Sequence, residues 1–128
     1  MPRQLIQSKL FTPIGPYSHA VRIGSQIFIS GTPGIDPATG HIAGTDAYHQ
    51  ARQALSNIRD MLKSANATLD DIGHVQINLV NVNDFAEMNR AYAEFFSDPY
   101  PARTVIGIAA LPKPGVLLTM NAVAVAES

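Results

Sequence analysis

The sequence predicts an α+β fold of order ββαβαββ, with two helices packed on one face of a sheet. Three observations carry that prediction. Residues 46–64 place Ala51, Leu55, Ile58 and Leu62 at helical spacing. Residues 74–81 alternate, with Val75, Ile77 and Leu79 on one side and Gln76, Asn78 and Val80 on the other. A second helical stripe, Phe85, Met88, Tyr92 and Phe95, follows a potential cap at Asn83.

The remaining elements follow in chain order. Residues 20–22 and 26–30 read as strands paired across Gly24-Ser25. Pro13-Ile14-Gly15-Pro16, Thr32-Pro33-Gly34 and Asp36-Pro37-Ala38-Thr39-Gly40 are turns or rigid loops. After the second helix, residues 103–111 and 116–125 are β-rich and flank the turn Pro112-Lys113-Pro114-Gly115. No repeat or linker divides the chain, so residues 1–128 are expected to form one domain. The sheet face away from the helices is expected to be apolar. Association with other copies would cover it; a monomer with a shallow ligand groove there is the alternative.

Composition narrows the function classes. Nine Lys and Arg balance ten Asp and Glu, for a formal net charge of −1, and no basic run offers a nucleic-acid footprint. The chain has no cysteine, which removes disulfides, thiolate catalysis and cysteine-ligated zinc. His19, His41, His49 and His74 are scattered and show no metal-site spacing, so no metal is expected. No apolar run reaches membrane-spanning length and no signal-peptide core follows Met1, so a cytoplasmic location is the default expectation. Asp70-Asp71 reads as a solvated turn and Glu127 as a frayed terminal residue.

Arg103 opens an apolar stretch directly after a proline-bounded loop. An arginine there is either a clamp for a carboxylate, which its planar fork fits best, or a snorkelling surface side chain. Gly15-Pro16-Tyr17 puts a phenol behind a rigid turn, and Ile29-Ser30-Gly31 ends a strand with a hydroxyl and a flexible backbone. Asn83-Asp84-Phe85, then Asn89, opens the second helix. Singly, these residues are explained by packing and capping. His19 lies two residues from Tyr17, on the same face of an extended segment.

Together and in this order the segments resemble the RidA/YjgF family of small enamine and imine deaminases. The shared landmarks are Ile14-Gly15-Pro16-Tyr17, Ser30-Gly31, Ile35-Asp36-Pro37-Ala38-Thr39-Gly40, residues 50–57, Asn83-Asp84-Phe85, Pro101-Ala102-Arg103 and Leu111-Pro112. The resemblance implies a chorismate-mutase-like fold assembled as a homotrimer, with sites in the clefts between subunits and no metal or organic cofactor. It implies hydrolysis of reactive enamines or imines, such as 2-aminoacrylate, to 2-keto acids and ammonia. Carried over by position, Arg103 would hold the substrate carboxylate and the backbone at Val105 would lie against the ligand. Tyr17, Ser30 and Gly31 would line the pocket, and Phe85 and Asn89 would form or support its walls.

One departure bears on the chemistry. Thr119, in Leu118-Thr119-Met120-Asn121, stands where these deaminases carry the glutamate thought to activate water. A threonine hydroxyl does not ionise near neutral pH, so it can position water but not deprotonate it. Thr32 replaces a glutamine common at that position, which would alter the pocket rim. Gly107 leaves the strand after Arg103 short of a side chain, which either opens room for a bulkier ligand or, the favoured reading, marks a bulge or close packing.

The leading expectation is therefore a deaminase of carboxylate-bearing imines, weakened or altered at Thr119. The alternatives are a relative adapted to another substrate, of the 2-aminomuconate kind or a biosynthetic intermediate, and a non-catalytic binder of small carboxylates. A ribonuclease or translation inhibitor is disfavoured by the charge balance.

Overall fold

A computed structural model describes residues 1–127. Its elements are β1 (Gln4–Leu5), β2 (Ala20–Ile23), β3 (Gln26–Pro33), α1 (Ala47–Ser64), β4 (Ile72–Leu79), α2 (Phe85–Tyr92), β5 (Ala102–Gly107) and β6 (Leu118–Val125). Short 3₁₀ turns at Leu69–Asp71 and Val82–Asp84 lead into β4 and α2. The predicted α+β order is present, with a two-residue edge strand, β1, added before it.

Helix α1 forms because its apolar positions make a continuous stripe and its start is capped. The Asp46 side chain accepts a hydrogen bond from the His49 backbone N–H, one of the donors a helix start leaves unpaired. Ala51, Ala54, Leu55, Ile58 and Leu62 are fully buried. The helix stops at Ala65, and Asn66 follows in the left-handed region at φ 57°.

The start of α2 differs from the sequence expectation. Asn83 does not cap it: the Asn81 side chain caps the preceding 3₁₀ turn by accepting from the Asn83 N–H, and Asp84 makes no side-chain cap bond. The stripe holds through Met88 and Tyr92, but Phe95 lies beyond the helix.

The six strands run in the order β1-β2-β3-β6-β4-β5. The β-rich segments flanking the Pro112 turn do not pair with each other. Strand β6 inserts antiparallel between β3 and β4, while β5 pairs parallel to β4 at the edge. Strand alternation sends Ile27, Val75, Ile77, Leu79, Leu118 and Met120 towards the helices, all completely buried. Each such side chain contributes roughly 1.5–3 kcal/mol by leaving water.

Arg22 is buried on this side, with no carboxylate near. Its guanidinium donates to the carbonyls of Ala65 at 2.6 Å, Ala126 at 2.9 Å and Gly24 at 3.2 Å.

The opposite face is only half apolar, contrary to expectation. Val21, Phe28 and Val123 line up across β2, β3 and β6, beside the exposed Ile23 and Val125. Across β6, β4 and β5 the same face carries a polar patch, where Asn121 and Thr104 flank Gln76 and Thr119 pairs with Asn78. No helix in the described residues is long and apolar enough to cross a membrane.

Candidate functional site

Five of the residues singled out from the sequence line two clefts, while Ser30, Phe85 and Val105 line neither. In the first, Tyr17, Gly31 and Thr119 share a space of about 590 Å³ with Ile14, Leu111 and Lys113. Strand β3 changes register against β6 between Ile29 and Thr32, and Gly31, within this irregularity, lines the cleft. Gly31 keeps it open: a Cβ there would sit 3.6 Å from Thr119 Oγ1.

The wall bearing Tyr17 is held by its neighbours. The Tyr17 N–H closes a tight turn onto the Gly15 carbonyl at 2.8 Å. Its ring meets His19 edge-on, at 5.5 Å between centroids, and His19 Nε2 donates to the Phe11 carbonyl at 2.7 Å. Ser30 Oγ donates to the Ser18 carbonyl at 2.6 Å, so its hydroxyl pins the Tyr17 segment. His19 is buried and serves the same scaffold.

Thr119 lies on the open sheet face, where Asn78 Nδ2 donates to its Oγ1 at 3.2 Å. Thr32 is not on the rim. It points into the core, 1% exposed, with its hydroxyl donated to the Ser30 carbonyl.

The second cleft, about 400 Å³, is lined by Asn89, Tyr92, Ala93, Tyr100, Pro101 and Arg103. Phe85, Asn89 and Tyr92 fall at i, i+4 and i+7 on one side of α2, facing β5. Arg103 Nη1 donates to Asn89 Oδ1 at 2.6 Å, and the guanidinium carbon lies 4.8 Å from the Tyr92 ring centroid and 5.6 Å from that of Phe85. Planar stacking on aromatic faces orients a guanidinium without neutralising it. No carboxylate pairs with Arg103 among the described residues, where the ion pairs are His49–Asp46 and Arg52–Glu94. The Arg103 guanidinium is thus held against α2 rather than extended freely into solvent.

Val105 follows Arg103 on the same face of β5 and packs on the core. Gly107 gives no extra room, because a Cβ there would come within 2.6 Å of Val82 Cγ1.

Tyr92 is 5% exposed, and its hydroxyl has no hydrogen-bond partner among the described residues. Burial pushes the phenol's pKa above its ordinary value, with the Arg103 cation opposing in part.

Two features of this arrangement limit what it can do. Arg103 pairs with Val75 and so faces α2, whereas Thr119 pairs with Asn78 and faces away. Within one chain they therefore open on opposite sides of the sheet. Neither cleft is lined by an aspartate, glutamate or histidine, so neither contains an ordinary general base. No group of metal-ligating side chains occurs among the described residues. Sequence reasoning missed Asn78 and took Tyr92 only as part of a packing stripe. The signal for Asn78 was an amide on the outward face of its strand, in line with His74 and Gln76.

Comparison with known proteins gives a consistent picture. A family model described as endoribonuclease L-PSP matches residues 7–126. A RutC family protein of Pyrococcus abyssi is 43% identical over 115 residues, covering 90% of each chain. A human protein named 2-iminobutanoate/2-iminopropanoate deaminase is 38% identical over 112 residues, or 88% of this chain and 81% of that one. Among solved structures, RidA from an Antarctic Psychrobacter superposes with a TM-score of 0.90 at 33% identity, covering 96% of this chain and 99% of that one. Escherichia coli TdcF with bound serine gives 0.88 at 35% identity, covering 97% and 99%.

Proposed function

This chain belongs to the endoribonuclease L-PSP family, the RidA/YjgF proteins, and on that premise we propose that it hydrolyses a small carboxylate-bearing imine or enamine, slowly, to a 2-keto acid and ammonia. Its α+β, chorismate-mutase-like architecture is that of the RidA structures. The observation that carries the reading is Arg103, held by Asn89 beside two aromatic rings and unpaired with any carboxylate. A 2-imino acid supplies the missing anion. Fixing both carboxylate oxygens aims the adjacent C=N carbon. The serine bound to TdcF is a carboxylate ligand of the same size.

Hydrolysis needs one water. Its oxygen bonds to C2 and its proton passes to the imine nitrogen, giving a carbinolamine. The hydroxyl proton then passes to that nitrogen, the C–N bond breaks as the C=O bond forms, and ammonia departs. Thr119 supplies a hydrogen bond at this end but cannot remove the water's proton, and a missing base is worth roughly 10²–10⁴-fold in rate.

Arg103 and Thr119 face opposite sides of one sheet, so the reading requires the Arg103 cleft of one copy to meet the Thr119 cleft of another. A cytoplasmic homotrimer without metal or organic cofactor is the assembly proposed. Coverage of the apolar half of the open face, Val21, Phe28, Val123 and Val125, is what favours association.

The test is 2-keto acid formation from 2-iminopropionate generated in situ. Rates that match with and without the protein would sink the catalytic reading, and Thr119→Glu should raise the rate. A second reading, a non-catalytic binder of 2-keto acids, is favoured by the absence of an aspartate, glutamate or histidine from the lining of either cleft. It predicts that 2-oxobutyrate binds, that Arg103→Ala abolishes binding, and that no imine turns over.

A further inference from the structure

We propose that Asn78 fixes the Thr119 hydroxyl as a hydrogen-bond donor into the cleft, so that the site selects ligands with an acceptor atom on C2. A keto oxygen or an unprotonated imine nitrogen meets that requirement. Asn78 is then a positioning residue acting through Thr119, and the inference rests on the ligand class of the proposed function.

The argument begins with the register of β4 and β6, which sets Asn78 opposite Thr119 and Gln76 opposite Asn121 on the open face. The hydrogen bonds there run in one direction. Gln76 Nε2 donates to Asn78 Oδ1 at 2.9 Å, and Asn78 Nδ2 donates to Thr119 Oγ1 at 3.2 Å and to Asn121 Oδ1 at 3.4 Å.

A hydroxyl carries one proton and two lone pairs. With an amide N–H pointing at one lone pair of Oγ1, the Thr119 proton cannot lie on that line and no other described group takes it. The remaining direction is the cleft, where Gly31 leaves space beside Oγ1 and Tyr17 and Lys113 stand nearby. A carboxylate at this position would present only acceptors and would draw a proton from water. The Asn78–Thr119 pair presents a donor, which polarises a C=N or C=O group and anchors a keto acid.

Two measurements test this. Asn78→Asp keeps the shape of the side chain but turns donor into acceptor, so the Thr119 proton swings away from the cleft. Affinity for 2-oxobutyrate, measured by calorimetry, should fall about tenfold in the otherwise native protein. In a Thr119→Val background the same substitution should cost less than about threefold, because the added charge then acts alone. Equal losses in the two backgrounds would overturn the proposal.

The second measurement needs no ligand. Neutron diffraction from deuterated crystals should find the Thr119 deuteron pointing into the cleft. A deuteron on the line from Oγ1 to the Asn78 amide would overturn the proposal independently. A protein that binds no keto acid yet shows the deuteron in the cleft would instead refute the proposed function and leave the polarity of Asn78–Thr119 intact.

Discussion

Two lesions on different chains should rescue one another. Arg103→Ala removes the carboxylate clamp. One of the five guanidinium N–H groups is taken by Asn89, which leaves four for a bidentate ligand. Losing two charge-assisted bonds of roughly 1.5 kcal/mol each is a change of about 3 kcal/mol, or about a hundredfold in affinity. Gly31→Leu blocks the other half. Its Cβ is tolerated, with nearest contacts of 3.6 and 3.7 Å to Thr119, but the rest of the side chain projects into the cleft. Each variant alone should bind 2-oxobutyrate very weakly. If each site joins Arg103 of one copy to Gly31 and Thr119 of another, random mixing of equal amounts restores about one quarter of the sites, half times half, whatever the ring size. Calorimetry on co-refolded mixtures should therefore give native affinity at about a quarter of the native stoichiometry. If mass spectrometry confirmed mixed assemblies and no binding returned, the two clefts would not combine across copies and the reasoning would be refuted.

Three further outcomes follow from packing and protonation. Gly34→Ala should be severely destabilising, by about 3 kcal/mol, because its Cβ would lie 2.2 Å from the Gln50 carbonyl oxygen and neither backbone can yield cheaply; urea denaturation reads this directly. Asn57→Ala should lower stability by about 2 kcal/mol, read as a fall in Tm, since Asn57 Nδ2 donates to the carbonyls of Pro33 and Ile35 at 3.2 and 2.9 Å and both would lose their partner in the core. Tyr92 has its folded pKa raised above the ordinary 10.0 by burial, so the stability it favours is full below pH 10 and declines as pH rises from there through the folded value. Tyr92→Phe should leave neutral-pH stability almost unchanged, because the hydroxyl has no partner, and should flatten that alkaline decline in pH-dependent unfolding.

The parts legible in the sequence were those set by local periodicity. The stripe through Ala51, Leu55, Ile58 and Leu62 and the alternation through Val75, Ile77 and Leu79 both appear as read, because burial acts residue by residue along one element. Strand order was not legible: nothing near Leu118 says that β6 lies between β3 and β4, since pairing partners are chosen by long-range packing. The cap at Asn81 was misplaced by two residues because Asn83 offers the same side chain to the same turn. Arg103 was conspicuous as a lone cation beside prolines, whereas Asn78 was hidden because its meaning depends on Thr119, far along the chain. The polar half of the open face was written in Gln76, Asn78 and Asn121, but an expected apolar surface obscured it.

Placing β6 at the centre of the sheet also governs how the chain comes together. Of the six strands, the last in sequence is the one that joins the other two groups, β1-β2-β3 on one side and β4-β5 on the other. While a nascent chain lacks residues 118–125, β3 and β4 each present a row of unpaired backbone groups, the kind of edge that recruits strands from other chains. Helix α1 can cover one apolar surface during that interval but cannot satisfy those edges. Synthesis must therefore run almost to Val125 before the sheet closes, and closure links the two groups in one cooperative step.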